Sequence, residues 1–217
     1  MFEYPPLEVK VWGELACFTR PEMKVERVSY SVMTPSAARG ILEAIFWKPE
    51  FSWIITEIQV LKPIRHISLV RNELKNKQSE RSARSWEKNG GGYFIEEDRT
   101  QRHTLALRDV AYLIKAQILL RDHAADSHVA KYRDQFRRRV SRGQYFHHPY
   151  LGNREFPASF AEPDGTEQPI DVSDDLGRML FDIDYSKEEN RNAPQFFSAE
   201  LVHGIMEVPT ELYKGGN

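Results

Sequence analysis

The chain has 217 residues, of which 41% are hydrophobic and 29% are charged, and its formal net charge is −2. This composition allows one or two domains with a buried core, and the average charge does not indicate a nucleic-acid partner. The single cysteine, Cys17, excludes an internal disulfide framework. The chain shows neither a signal-peptide pattern nor an apolar run approaching the ~18 residues of a spanning helix, so a cytoplasmic protein without a membrane partner is expected.

The first 61 residues predict a strand, a helix and a second strand. Apolar and polar residues alternate over residues 7–11, which is typical of a half-buried strand. Thr34 and Pro35 mark a helix start, because threonine caps well and the missing N–H of proline costs nothing in the first turn. The apolar face of this helix repeats at helical spacing and consists of Ala38, Ile41, Leu42, Ile45 and Phe46. Residues 53–61 are rich in β-branched side chains and predict the second strand.

The middle of the chain predicts two further strands around a polar insertion. Residues 67–70 fit a short strand, and residues 110–120 alternate so regularly that they predict the longest strand in the chain. Residues 71–103 between them are polar and contain the turn sequence Asn-Gly-Gly-Gly at 89–92. We interpret this segment as an inserted hairpin or mobile loop.

Residues 129–142 predict a second helix, which Gly143 ends. Its narrow apolar stripe consists of Val129, Tyr132, Phe136 and Val140. Short strands follow near the C-terminus. The element order predicts an α+β protein with a ferredoxin-like (RRM-like) domain over residues 1–155, carrying the inserted hairpin, and a small antiparallel β-sheet domain over residues 156–217.

Basic residues are concentrated on this second helix. Six of the twelve residues from Lys131 to Arg142 are basic, and only Asp134 opposes them. One interpretation is a solvated helix face, and the other is a surface that binds phosphates. Aromatic residues follow directly and can stack on unpaired bases; they are Tyr145, Phe146 and Tyr150. A surface that contacts only protein partners is a third interpretation.

Two adjacent histidines, His147 and His148, follow the helix. A metal site needs three or four converging ligands, and spacing supplies no third one, so phosphate contact or acid–base chemistry is favoured and no cofactor is expected. Cys17 lies in an apolar strand and predicts a buried thiol rather than a nucleophile. RNA cleavage without a metal needs a base, an acid and a cation, and Lys131 can supply the cation.

Four stretches of the chain carry a resemblance to a known family. They are residues 11–49, which include SAARGILEAI-x-WKP, the link I-x-V-L-K-P-I at 58–64, the helix AKYRDQFRRRVSRGQ, and FHHPYLGNREFPASF. Together they resemble the subtype I-C CRISPR-associated repeat-processing endoribonuclease of the Cascade complex, a member of the RAMP superfamily. The match covers most of the chain and is weak over residues 71–105 and after residue 165.

The resemblance implies a ferredoxin-like domain with a small β-sheet domain, and a protein that cuts precursor CRISPR RNA at the base of the repeat hairpin without a metal. It also implies that the protein stays on the mature guide RNA and joins the other Cascade subunits. For some members of the family it implies nonspecific binding of double-stranded DNA.

The family's active site consists of a tyrosine, a lysine and a histidine. In this chain the lysine position falls on Lys131, the histidine position on Tyr132 and the tyrosine position on Phe46. We therefore take Lys131, Tyr132, His147 and His148 as the catalytic candidates. The candidate RNA contacts are Arg133, Arg137, Arg138, Arg139, Arg142, Tyr145, Lys48 and Arg27. Because two family positions are changed, a guide-RNA-binding subunit that does not cleave is the alternative function.

Overall fold

The computed structural model describes residues 2–76, 79–184 and 193–215. Its helices are α1 (Pro35–Ile45), α2 (Glu80–Asn89) and α3 (Val129–Ser141). Its strands are β1 (Leu7–Ala16), β2 (Arg27–Val28), β3 (Phe51–Val60), β4 (His66–Leu74), β5 (Arg99–Leu120), β6 (Ser159–Ala161), β7 (Asp174–Asp184), β8 (Ala193–Leu201) and β9 (Ile205–Glu207). No helix in these ranges is long and apolar enough to cross a membrane.

A seven-stranded sheet organises the molecule, with the order β6-β1-β5-β3-β9. These neighbours are antiparallel, and β5 lies at the centre, where Ile114 pairs with Val9 of β1 on one side and with Ile58 of β3 on the other. Strand β4 pairs antiparallel with the first part of β5, and the short β2 pairs with it in parallel. The alternation over residues 110–120 therefore did predict a strand, although β5 begins eleven residues earlier, at Arg99.

Helix α1 forms for the reasons that the sequence provides. The Thr34 hydroxyl accepts a hydrogen bond from the Ala37 amide (3.3 Å), and Pro35 occupies the first turn. The predicted apolar face is buried, which confirms it; its exposures are 0% for Ala38, 1% for Ile41, 1% for Leu42, 0% for Ile45 and 1% for Phe46. Helix α3 packs beside α1, so the two helices and the sheet enclose one continuous apolar core.

The polar insertion forms a β-hairpin with a helix near its tip. Strands β4 and β5 pair from His66–Leu107 to Leu74–Arg99, which confirms the hairpin interpretation. The sequence analysis does not predict α2, because only two of its ten residues are apolar, Ala83 and Trp86, and none of the ten is buried. Its start is nevertheless capped, since the Ser79 hydroxyl accepts a hydrogen bond from the Ser82 amide (3.1 Å).

The segment after residue 155 contributes to both sheets. Strands β7 and β8 form a separate two-stranded antiparallel sheet, as expected for a small β unit. Strands β6 and β9 instead pair with β1 and β3 at the two edges of the large sheet. The domain boundary at residue 155 therefore stays a prediction.

Candidate nucleic-acid interface

Helix α3 presents a basic face to solvent. The face consists of Lys131, Arg137, Arg138 and Arg142, all of which are exposed. Arg137 contacts Asp134, with 3.9 Å between the guanidinium and carboxylate atoms, and an exposed ion pair of this kind has little strength. The apolar stripe on the other side packs into the core, because Tyr132, Phe136 and Val140 are buried. Four positive charges therefore point away from the core on one helix.

Arg133 does not belong to this face, which corrects the sequence-based assignment. Its side chain is only 2% exposed. It donates one hydrogen bond to the Pro5 carbonyl (2.7 Å) and another to the Gln117 side-chain oxygen (3.5 Å), and it lies 5.2 Å from the ring centre of Tyr4. Burial, and then the charge of Arg137, lower the pKa of the Arg133 guanidinium. Arg133 therefore anchors the N-terminal segment to the sheet and is not available to RNA.

Two other predicted contacts are partly engaged within the protein. Arg139 donates a hydrogen bond to the Ile45 carbonyl (2.7 Å) and lies 5.3 Å from the ring centre of Phe46, so it ties α3 to the end of α1. Arg27 pairs with Glu155 at 2.5 Å and with Glu73 at 3.8 Å, which offsets its charge locally. Lys48, which follows α1, is exposed. Tyr145 is also exposed (47%) and is available for stacking.

The three positions that the resemblance assigns to the family's active site lie near one another, but only one of them reaches solvent. Phe46 and Tyr132 are 1% and 2% exposed, and Phe51 lies between them with ring-centre distances of 5.5 and 5.2 Å. The Lys131 ammonium is 5.4 Å from the ring centre of Tyr132. The positions of Phe46 and Tyr132 are therefore occupied by core aromatic side chains, and Lys131 is the exposed member.

A histidine that the sequence analysis missed lies beside Lys131. His128 is the N-cap of α3, and its carbonyl accepts a hydrogen bond from the Lys131 amide (3.2 Å). His128 is exposed three residues before Lys131, which makes its imidazole a further candidate for contact with a phosphate at this end of the helix. The signal was available in the sequence as His-x-x-Lys at the helix start.

A cleft of about 880 Å³ opens at the other end of α3. One wall comes from α1 and the residues that follow it, and it consists of Gly40, Glu43, Ala44 and Trp47. The other wall comes from the segment after α3 and includes Phe146, His147, His148, Tyr150 and Arg154. We call this the aromatic cleft. The sequence analysis overlooked Trp47 and Arg154, because Trp47 follows the end of α1 and Arg154 comes from a distant segment, so helical spacing does not bring them together.

The two walls of the cleft are joined by backbone hydrogen bonds. The amides of Phe146 and His147 both donate to the Ala44 carbonyl, at 2.8 and 3.2 Å. Farther along, the Leu151 carbonyl accepts from the Cys17 amide at 3.0 Å, which docks the segment onto the end of β1. The cleft is therefore held in place from both sides.

The predicted histidine pair lies in this cleft. Nδ1 of His148 is 2.8 Å from the Pro149 carbonyl, so this nitrogen donates and Nε2 is left to accept a proton. His147 packs against Phe146, with 4.3 Å between ring centres. The helix rises about 15 Å over the ten steps from Lys131 to Ser141, so the histidine pair does not join Lys131 in one cluster.

Carboxylates are sparse in the cleft. Burial raises the pKa of Glu43, and the charge of Arg39, 3.6 Å away, acts in the opposite direction. In the part of the chain that the structure describes, no group of three or more His, Cys, Asp or Glu side chains is placed to hold a metal ion.

Comparison with known proteins assigns the chain to a family. Residues 6–209 match the family model described as CRISPR-associated protein (Cas_Cas5). A Thermus thermophilus protein named CRISPR pre-crRNA endoribonuclease Cas5d is 47% identical and covers 96% of this chain and 93% of its own. A protein of the same name from Mannheimia succiniciproducens is 48% identical and covers 94% of each chain.

Solved structures agree with this assignment. A crystal structure of a CRISPR-associated protein has a TM-score of 0.68 at 25% identity and covers 96% of this chain and 94% of its own. The functionally uncharacterized protein SMU1763c from Streptococcus mutans, at 22% identity, covers 97% and 96% with a TM-score of 0.67, which supports the fold alone. The chain belongs to the Cas5 family of CRISPR-associated proteins.

Proposed function

We propose that the protein is a metal-independent endoribonuclease that binds precursor CRISPR RNA at the repeat hairpin and cuts it. The observation that carries this proposal is the pair of near-full-length relatives, 47% and 48% identical, that are both named as pre-crRNA endoribonucleases. The exposed basic face of α3 supports it, because four cationic side chains free of strong ion pairs suit the phosphates of an RNA stem. The mature guide then stays bound, and the protein acts with the other Cascade subunits in the cytoplasm.

The fold is consistent with such a role. Strands β1, β3, β5 and β6 follow one another in the chain and lie in the sheet in the order β6-β1-β5-β3. Helix α1 lies between β1 and β3 in the chain, and α3 lies between β5 and β6. This is consistent with the β-α-β-β-α-β order of a ferredoxin-like domain. On this proposal the β4–β5 hairpin with α2 is an insertion. The ferredoxin-like unit then includes β6, so it extends beyond the boundary predicted at residue 155.

The chemistry is proposed to occur at Lys131. The 2′-hydroxyl attacks the adjacent phosphorus, the O2′–P bond forms and the P–O5′ bond breaks, leaving a cyclic phosphate and a 5′-hydroxyl. Lys131 stabilises the extra negative charge on the phosphate. His128 accepts the proton of the 2′-hydroxyl, and water protonates the leaving 5′-oxygen. Because Tyr132 is 2% exposed, it positions the helix turn and does not relay the proton. His147 and His148 are the alternative proton-transfer groups.

Cleavage of the protein's own repeat RNA in EDTA tests the function. We expect wild-type protein to give one discrete product, and Lys131→Ala to lower the single-turnover rate at least tenfold, because the cation at the phosphate is removed. Lys24→Ala, which removes an exposed lysine far from α3 in the chain, is the matched control and should keep the wild-type rate. Equal uncut bands for wild type and Lys131→Ala would refute the enzymatic proposal.

The proton-transfer group can be identified in the same assay. We expect His128→Ala to lower the rate at least tenfold, and Tyr132→Phe to change it less than twofold, since the Tyr132 ring is packed in the core. His147→Ala and His148→Ala should also stay within a few-fold of wild type. A large loss for His148→Ala with none for His128→Ala would move the chemistry into the aromatic cleft.

A second candidate function is a guide-RNA-binding subunit that does not cleave. The burial of Phe46 and Tyr132 favours it, because neither family position can exchange a proton with RNA in this structure. Tight binding of repeat RNA with no product over hours would support this function. The basic face would also suit nonspecific binding of double-stranded DNA, for which the affinity should fall steeply with salt.

A further inference from the structure

The end of α1 is capped by groups that come from α3 and the segment after it. A helix leaves its last four carbonyls without partners inside the helix. In α1 the Ala44 carbonyl accepts the amides of Phe146 and His147, and the Ile45 carbonyl accepts a hydrogen bond from the guanidinium of Arg139 (2.7 Å). The last turn of α1 contains no basic residue, so Arg139 brings a positive charge from another helix to the partial negative charge of this helix end.

The α1–β3 loop (residues 46–50) is fastened to α3 at both of its ends. At its start, the ring centre of Phe46 lies 5.3 Å from the guanidinium of Arg139. Directly after it, Phe51 opens β3 and lies 5.2 Å from Tyr132, measured between ring centres. The seven steps from Tyr132 to Arg139 correspond to about 10 Å of helix rise. The loop therefore runs alongside α3, and the exposed Lys48 lies at its middle.

The side of α3 that meets this loop is also the side next to Lys131. Around the helix axis, Lys131, Tyr132 and Arg139 lie within about 100° of one another. The Lys131 ammonium is 5.4 Å from the ring centre of Tyr132, so it borders the end of the loop. Arg139 itself is half-buried and is engaged with the Ile45 carbonyl and the Phe46 ring. Its geometry therefore suits holding the loop in place better than binding RNA directly.

We propose that Arg139 is a positioning residue for RNA cleavage, which caps α1 and so holds the α1–β3 loop where Lys48 and Lys131 contact the same stretch of RNA backbone. The inference rests on the proposed endoribonuclease function and replaces the direct RNA contact that the sequence predicts for Arg139. Without the guanidinium, the Ile45 carbonyl loses its partner and the start of the loop is released. A displacement of about 1 Å in a positioning group can lower the rate of a reaction roughly 100-fold.

The test is single-turnover cleavage of repeat RNA in EDTA at increasing protein concentration, well below the melting temperature of each variant. We expect Arg139→Met to lower the maximum rate at least tenfold and to change the half-saturating protein concentration less than about threefold. The slope of log affinity against log salt should stay that of wild type, because no phosphate contact is lost. Arg139→Lys should recover most of the rate, since lysine keeps a charged donor at the end of α1.

The matched control is Arg81→Met, which removes an exposed arginine from α2 and should keep the wild-type rate. Lys48→Ala changes an exposed side chain without risk to the core, and it should also lower the maximum rate.

Because Arg139 acts through the loop that carries Lys48, the loss in the double variant should be smaller than the product of the two single losses. A wild-type maximum rate for Lys48→Ala, or a lower melting temperature with a wild-type maximum rate for Arg139→Met, would overturn the inference while the proposed function stands. So would a salt slope reduced by roughly 0.7–0.9 in Arg139→Met, which would make this arginine a direct phosphate contact. Wild-type protein that gives no product would refute the function, and the inference with it.

Discussion

Replacing Gly152 with alanine is expected to destabilise the fold by about 4 kcal/mol. Gly152 has φ of +85°, and a β-carbon there would overlap the carbonyl oxygen of Cys17 and lie 2.6 Å from its carbonyl carbon. The left-handed conformation costs a non-glycine residue roughly 1–2 kcal/mol, and forced overpacking typically adds 1–3 kcal/mol. Backbone cannot move aside as a flexible side chain can, so the neighbouring turn has to shift.

Gly165→Ala is the matched control for this substitution. Gly165 has nearly the same φ, +83°, but nothing lies within 4 Å of a β-carbon built there. We expect its cost to be about 1 kcal/mol, from the backbone conformation alone. Thermal unfolding should show a melting temperature lower by roughly 10 °C for Gly152→Ala and by only a few degrees for the control. An equal fall in melting temperature for the two variants would mean that the contact with Cys17 does not contribute to the destabilisation.

The Gly152→Ala substitution should also affect the aromatic cleft. Gly152 follows Leu151, whose carbonyl accepts the Cys17 amide, so this turn docks the cleft wall onto β1. A shifted turn would displace Tyr150 and Arg154, which line the cleft. The glycine therefore links the fold of one turn to the shape of the aromatic cleft.

The sequence predicts elements well where local rules decide the outcome. Thr34 caps α1 and its apolar spacing matches its burial, so the helix follows from neighbouring residues alone. Helix α2 was missed because its ten residues include only two apolar side chains, Ala83 and Trp86, and the helix buries none of its residues. Strand β5 was predicted only over residues 110–120, because its earlier part is a hairpin arm with little apolar character.

The candidate site was harder to predict because it depends on contacts between distant residues. Helical spacing places Arg133 at the edge of the apolar stripe, and only the return of Pro5, 128 residues away, buries it. Likewise, His147 and Trp47 share a cleft because the segment after α3 bonds to Ala44, a contact that spacing does not indicate. The family resemblance located Lys131, and the structure added His128 beside it.

Substitutions of the buried Arg133 and of the exposed Arg138 are expected to have opposite effects on stability and on RNA binding. Arg133→Met is expected to lower the free energy of unfolding by about 3 kcal/mol, because the Pro5 carbonyl and the Gln117 oxygen lose their buried donor. The melting temperature should fall by roughly 6–12 °C. Since Arg133 is almost fully buried, RNA affinity measured well below that temperature should keep its salt dependence.

Arg138→Ala should show the reverse pattern, because this side chain is exposed on the basic face and has no described partner that it supports. Its melting temperature should match wild type, while the slope of log affinity against log salt should decrease by roughly 0.7–0.9, the loss expected for one phosphate contact. An unchanged slope for Arg138→Ala, with a reduced slope for Arg133→Met, would reverse the assignment and place RNA against the buried arginine. The pair of measurements thus separates the arginine that holds the N-terminal segment from the arginines that hold RNA, although both lie on one helix five residues apart.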